Sequence, residues 1–240
     1  YFHIPFCQKK CTYCDFYKST NTDLIDDYLN AVSIEIELQR DYLEGDVVET
    51  IYFGGGTPSL LKPVQLAAML SLCRSVFEVK PDAEITVEAN PDSLKKEFLD
   101  YFSKIGCNRL SLGLQSIDNE ELKILNRPHN YEQFIEKYNL SKKYFENINI
   151  DYILGLPNFD IDFLNSFVNS LILFQSNHLS IYILELHEKT KLYKMWEDDL
   201  IYLPQLDLVY DVFSECIHQL KKLNYWQYEI SNFSKMGFQS

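Results

Sequence analysis

Cys7, Cys11 and Cys14 stand as C-x3-C-x2-C in a short run just after an apolar stretch. This spacing puts three thiolates on one tight turn with no fourth cysteine nearby. An ordinary [4Fe-4S] cluster takes four thiolates, so three would leave one iron free to bind something else. The competing readings are a structural zinc site with His3 as fourth ligand, a disulfide, and chance spacing. Cytosolic redox conditions oppose the disulfide. Cys73, Cys107 and Cys216 fall on apolar positions and read as small core residues.

Other groups able to do chemistry sit at or near the ends of β-rich runs, where β/α barrels place their active sites. Gly54, Gly55, Gly56, Thr57 and Pro58 follow one such run, and missing Cβ atoms let backbone approach a ligand or simply make a tight turn. Glu88 lies inside VEANP, Gln115 just after a run, and Asp151 inside NIDYILGLP. A carboxylate in an apolar strand needs a partner, either a structural hydrogen bond or a ligand. Arg127, one of four arginines, is able to pair with a carboxylate through two parallel bonds; on an exposed helix end it would be a solvated charge. His129 reads as a local cap without a role, His187 as a surface-loop histidine, and His218 as facing solvent.

These groups need elements to position them. Six β-rich runs, Tyr1 to Phe6, Val48 to Phe53, Glu84 to Ala89, Arg109 to Leu114, Ile148 to Ile153 and Leu179 to Leu184, alternate with segments of helical period. Most read as nearly continuous apolar runs, as expected for strands covered on both faces. Leu24, Tyr28, Val32 and Ile36 recur at helical spacing, as do Leu66, Leu70, Cys73 and Phe77 after Pro63. Asp118 and Glu121 resemble a capping box, and Ser93 and Gly106 bracket a helix carrying Phe98 and Phe102. A polar stretch from His187 to Pro204 then leads into an amphipathic helix near Leu206 to Leu223 and a strand-like Tyr225 to Ile230. The expectation is one partial β/α barrel with a trailing element packed beside it.

With a net charge of −13 across 240 residues, the chain lacks the clustered cations that nucleic acid or anionic lipid requires. No run of 18 apolar residues and no leader-like segment appears, so a soluble, cytoplasmic protein is expected. Tyr1 already reads as strand, which places the expected native N-terminus upstream. Aromatics make up 15% of the chain, which barrel cores accommodate without a flat ligand.

Taken in order, YFHIPFCQKKCTYCDF, IYFGGGTPSLL, ITVEANPDSL, NRLSLGLQS, NINIDYILGLP and YEISNF closely resemble the oxygen-independent coproporphyrinogen III oxidase-like branch of the radical S-adenosylmethionine (SAM) proteins. Within it, the resemblance is to the HemW-type heme chaperones, and it runs over essentially the whole chain. It implies an α/β fold, a partial (β/α)6 radical-SAM barrel with a C-terminal trailing α+β element. Residues 1–186 form the barrel core and 187–240 the start of a C-terminal substrate- or heme-side region. It implies a [4Fe-4S] cluster on Cys7, Cys11 and Cys14, with SAM chelating the open iron and reductive cleavage yielding a 5′-deoxyadenosyl radical. By motif, Tyr1, Gly55, Gly56, Thr57, Glu88, Gln115, Arg127 and Asp151 are the SAM-contacting candidates, and Tyr13 shields the cluster edge. The implied partners are heme or porphyrin as cargo, a heme-accepting protein and an electron donor for the cluster.

Two functions follow from the resemblance. One is a heme chaperone that holds heme and passes it on; the other is coproporphyrinogen III dehydrogenase, an oxidative decarboxylase of porphyrin biosynthesis. A radical enzyme acting on another substrate stands third. The dehydrogenase pattern adds a cysteine after one intervening residue, where this chain has Phe16, so the chaperone is favoured. The family continues beyond YEISNF into an HNxxYW-like heme-associated motif and a further domain, and no heme ligand is assigned within this chain. His187 stands where the family tends to carry Glu.

Overall fold

The computed structural model describes residues 1–157, 159 and 163–240. Six strands, β1 (Phe2–Ile4), β2 (Val48–Gly55), β3 (Val79–Ala89), β4 (Arg109–Gln115), β5 (Asn147–Leu154) and β6 (His178–Ile183), pair in sequence order and all in parallel. Helices fill the crossovers, as parallel pairing demands: α1 (Ile25–Leu38), α2 (Pro63–Val76), α3 (Lys96–Lys104), α4 (Asn119–Ile124) with α5 (Tyr131–Ser141), and α6 (Phe163–Phe174). Beyond β6 come α7 (Lys191–Glu197), α8 (Leu206–Lys222), β7 (Trp226–Gln227) and β8 (Asn232–Ser234). The sheet runs β1-β2-β3-β4-β5-β6-β8-β7 with β1 and β7 as its edges, so the barrel is open.

The apolar spacing marks α1, α2 and α8, although Leu24, expected on the first stripe, precedes α1 and is exposed. Leu29, Val32 and Ile36 of α1 and Leu66, Met69, Leu70 and Cys73 of α2 are buried on the sheet. Pro63 opens α2, its missing N–H costing nothing at that position. Asp118 caps α4 by accepting the Glu120 and Glu121 N–H groups, while its own N–H donates to Ser116 Oγ. Val209, Val212, Cys216 and Leu220 of α8 are buried at three- and four-residue spacing, each contributing about 1–3 kcal/mol by leaving water. The three cysteines assigned to the core, Cys73, Cys107 and Cys216, are all buried.

Four expectations need correction. The strands are not continuous apolar runs. They alternate, with Leu110, Leu112, Ile148, Ile150, Leu179 and Ile181 in the core under the helices and a polar set on the opposite parity. Tyr52, Thr86, Arg109 and Asn147 lie side by side across four strands, and Glu88, Ser111, Asn149 and His178 form the next rung. The strand expected over Tyr225 to Ile230 shrinks to Trp226–Gln227, with Ile230 exposed, because the pairing with β6 is made by β8 instead, running antiparallel. The polar stretch from His187 to Pro204 contains α7, capped by Thr190 Oγ1 on the Tyr193 N–H. The strand expected over Tyr1 to Phe6 pairs only from Phe2 to Ile4, with Phe6 making an isolated bridge to Ser19.

No helix among the described residues is long and apolar enough to cross a membrane.

Candidate cluster and cofactor site

The cysteine loop leaves β1 and is tied down by backbone, not by its sulfurs. Cys7 N–H donates to Ser19 O and Ser19 N–H to Pro5 O, closing the loop at its base. At its far side Thr12 is buried, its N–H on Leu125 O at 3.1 Å, its hydroxyl on Ile124 O at 2.8 Å and its carbonyl accepting from Leu192 N–H at 2.9 Å. Asn126 Nδ2 donates to Lys10 O, and Lys18 Nζ to Cys14 O. The end of α4 and the start of α7 thus hold the loop over the strand ends. Beneath it Tyr13 packs with a small apolar group of Leu125, Ile153, Leu156, Leu192 and Ile201.

Burial raises the Cys7 thiol pKa, opposed by a hydrogen bond from Thr57 Oγ1 at 3.6 Å. Cys11 Sγ accepts from Arg127 Nη1, also at 3.6 Å. No three His, Cys, Asp or Glu side chains among the described residues are gathered as for a single metal ion. His3 is spent elsewhere, with Nε2 on Tyr17 O at 3.0 Å and Nδ1 facing Tyr1 OH at 3.3 Å.

The glycine run serves the chain's own packing. A Cβ on Gly54 would meet Tyr52 at 2.7 Å, and one on Gly56 would meet the carbonyls of Phe6 and Ile4 at 2.7 and 2.8 Å. Gly55, at φ +108°, would drive a Cβ into the His3 ring at 2.6 Å. The Gly56 and Thr57 N–H groups donate to Ile4 O and Phe6 O. Backbone contact this close needs residues without a Cβ; it brings β1, Glu88 and the cysteine loop together.

Glu88 accepts from Tyr52 OH at 2.8 Å and Gly55 N–H at 3.0 Å. Burial, reinforced by Asp151, pushes its carboxyl up to about 7 against the opposing pull of those two bonds. Asp151 is raised as well, chiefly by burial, although Asn149 Nδ2 at 2.8 Å and Ser111 Oγ at 3.3 Å donate to it. The rung beside it is fully partnered: His178 spans Asn149 Oδ1 at 2.7 Å and Tyr228 OH at 2.6 Å. Burial, with help from Arg109, holds that imidazole down at about 3. Gln115 ends β4 at φ +73° across a register shift.

The linkage sign for Glu88 is clear. Its folded value lies above the ordinary 4.5, so the folded state binds the extra proton. The stabilisation is complete below about pH 4.5 and is lost as the pH rises toward 7. The slope is at most about 1.4 kcal/mol per pH unit. Glu88→Gln is expected to remove that slope, while its amide nitrogen no longer accepts from one of the two donors, Tyr52 OH and Gly55 N–H. Chemical denaturation of ligand-free protein from pH 5 to 8 checks this; parallel curves for the two proteins would contradict it.

Arg127 is half-buried in the turn after α4, not solvated at a helix end. Its Nη2 donates to Asn90 Oδ1 at 2.6 Å and Gly113 O at 2.8 Å. Burial pulls its pKa down, but the neighbouring Tyr13 and Cys11 outweigh that and hold it up. Its Nε and the Oδ1 of nearby Asp92 are buried without hydrogen-bond partners. The two residues feel each other's charge, and the unspent donor on the Arg127 cation fits the carboxylate end of an amino-acid moiety.

Asn90 and Asp92 are the residues that sequence reasoning missed. Both follow Glu88 within VEANPD, and only their position beyond a β3 strand end marked them. His129 is buried rather than a cap, its Nε2 facing Leu114 O at 3.4 Å, and burial holds it neutral at about 3. Asn130 is the residue that caps α5. His187 pairs with Glu185 at 3.7 Å on the surface, and His218 is exposed.

A groove of about 670 Å³ lies elsewhere, between α1 and β2. It exists because β1 pairs only with Phe53 to Gly55 and leaves the first half of β2 open. It lacks the converging thiols and cation found at the cysteine loop.

The sequence model of the radical SAM superfamily matches residues 1–169. Heme chaperone HemW of Bacillus subtilis is 32% identical over 243 residues, covering 100% of this chain and 64% of that protein. The mitochondrial radical S-adenosyl methionine domain-containing protein 1 of Bos taurus is 33% identical, covering 99% of this chain and 54% of its own length. Among solved structures, the Escherichia coli coproporphyrinogen III oxidase HemN, a radical SAM enzyme, superposes with a TM-score of 0.86 at 28% identity. That match covers 98% of this chain and 55% of HemN. The chain therefore spans less than two thirds of the length of these relatives. With its open parallel barrel and a family match over most of its length, this chain belongs to the radical SAM superfamily.

Proposed function

We propose that this chain is the SAM-binding core of a heme chaperone, a protein that binds heme and passes it to an acceptor. The observation that carries this reading is Phe16. It stands exposed two residues beyond Cys14, where the coproporphyrinogen dehydrogenase pattern places a fourth cysteine. Similarity along the whole of this chain to proteins named heme chaperone HemW supports it.

Cys7, Cys11 and Cys14 would hold a [4Fe-4S] cluster, which supplies one-electron reductive cleavage of a sulfonium when SAM is bound. Tyr1, Gly55, Gly56, Thr57, Glu88, Gln115, Arg127 and Asp151 form the rim for SAM. Arg127 neutralises its carboxylate through the unspent Nε. Glu88, poised near neutrality, is held ionised once an ammonium group arrives. Tyr13, packed under the loop, keeps water from the cluster edge. Residues 1–186 are the core, and 187–240 begin the cargo-side region, with an electron donor serving the cluster.

The test is heme titration of the full-length protein. A shifted Soret band with saturation is expected, and its absence overturns the carrier function. The likeness to HemN favours a second reading, coproporphyrinogen III dehydrogenase. Anaerobic incubation of reconstituted protein with SAM, reductant and coproporphyrinogen III separates the two: protoporphyrinogen IX would replace the chaperone-only reading with the enzyme.

A further inference from the structure

We propose that Asn90 is a positioning residue that fixes the direction of the hydrogen bonds reaching two of the three cluster cysteines; this rests on the cluster reading above. Asn90 follows directly after β3, its carbonyl accepting the Ser93 N–H at 3.1 Å and hydroxyl at 2.7 Å. Its side chain lies between Arg127 Nη2, at 2.6 Å from Oδ1, and Thr57 Oγ1, at 3.0 Å from Nδ2. Arginine only donates, so it requires the amide oxygen on its side. The amide nitrogen must then face Thr57.

The consequence passes to the sulfur. Thr57 Oγ1 accepts from Asn90, so its single proton is directed to Cys7 Sγ at 3.6 Å. At the other end Arg127, braced by Asn90 and Gly113 O, turns Nη1 to Cys11 Sγ. One carboxamide therefore orders a donor onto each of two thiols, through neighbours rather than by contact. Donors to cluster sulfurs favour the reduced, more negative cluster and raise its potential.

An aspartate at position 90 has nearly the same shape and keeps the Arg127 contact. It accepts where Asn90 donates, however, so the Thr57 hydroxyl turns toward it and Cys7 loses its donor. In anaerobically reconstituted full-length protein without SAM, potentiometric titration followed by electron paramagnetic resonance reads this. Asn90→Asp and Thr57→Val should each lower the reduced-to-oxidised ratio at fixed potential about tenfold, or about 59 mV for one electron. Thr57→Ser, which keeps the hydroxyl, should titrate like the parent. The double variant Asn90→Asp/Thr57→Val should shift by clearly less than the sum, because the two changes remove the same bond. Additive shifts, or a Thr57→Val potential equal to the parent's, overturn the role of Asn90 while the cluster stands. Parent protein without iron and sulfide overturns the cluster reading, and this inference with it.

Discussion

Cys11→Ala is expected to abolish the visible charge-transfer absorption of the anaerobically reconstituted protein and the iron and sulfide that accompany it, while the barrel stays folded. With two thiolates left, the cluster loses a protein ligand that nothing nearby replaces. Phe16 carries no donor, and the three other cysteines are buried in the core. The fold tolerates the change because the loop is anchored by the Thr12, Cys7 and Asn126 hydrogen bonds rather than by sulfur. A stability change within about 1 kcal/mol is expected for a partly exposed side chain with one weak bond. Iron and sulfide analysis beside a thermal melt decides the matter. Full cluster content in the variant would remove Cys11 from the ligand set.

On the proposed SAM rim, Arg127→Met is expected to weaken SAM binding on the order of 100-fold and to destabilise the protein by about 2–3 kcal/mol. The binding loss follows from a charge-assisted pair to a carboxylate, worth about 1.5–3 kcal/mol. The stability loss follows from stranding Asn90 Oδ1 and Gly113 O, offset in part because a buried cation no longer has to be desolvated. Arg127→Lys keeps the charge but loses the planar fork that reaches Asn90, Gly113 and Cys11 together, so it falls between the two. Equilibrium dialysis of SAM against reconstituted protein, paired with denaturant melts, measures both effects. Unchanged SAM affinity in Arg127→Met would take this residue out of the cofactor rim.

Much of the architecture was legible because it repeats. Apolar residues three and four apart marked α1, α2 and α8, and six β-rich runs in alternation marked a parallel sheet. The two-residue period in RLSLGLQ and NINIDYIL was also visible, yet these runs read as nearly continuous apolar stretches. A polar residue inside an open barrel is acceptable only when cross-strand partners satisfy it, and those partners come from other strands. β8 and α7 escaped notice for different reasons. Three residues are too few to show a period, and the lysines and glutamates around α7 mask its one buried leucine, Leu192.

The thiolate count, the absent fourth cysteine at Phe16, the glycine run and the order of motifs belong to the chain itself, since spacing along a backbone limits what a short loop can ligate. The direction in which each donor points was decided only by folding. Asn90, Arg127, Thr57 and the cysteine loop come from four separate places in the chain, and Arg127 lies 116 positions from the thiol it touches. Hydrogen-bond polarity is a property of partners meeting in space, and no local pattern in VEANPD names the arginine that turns the amide.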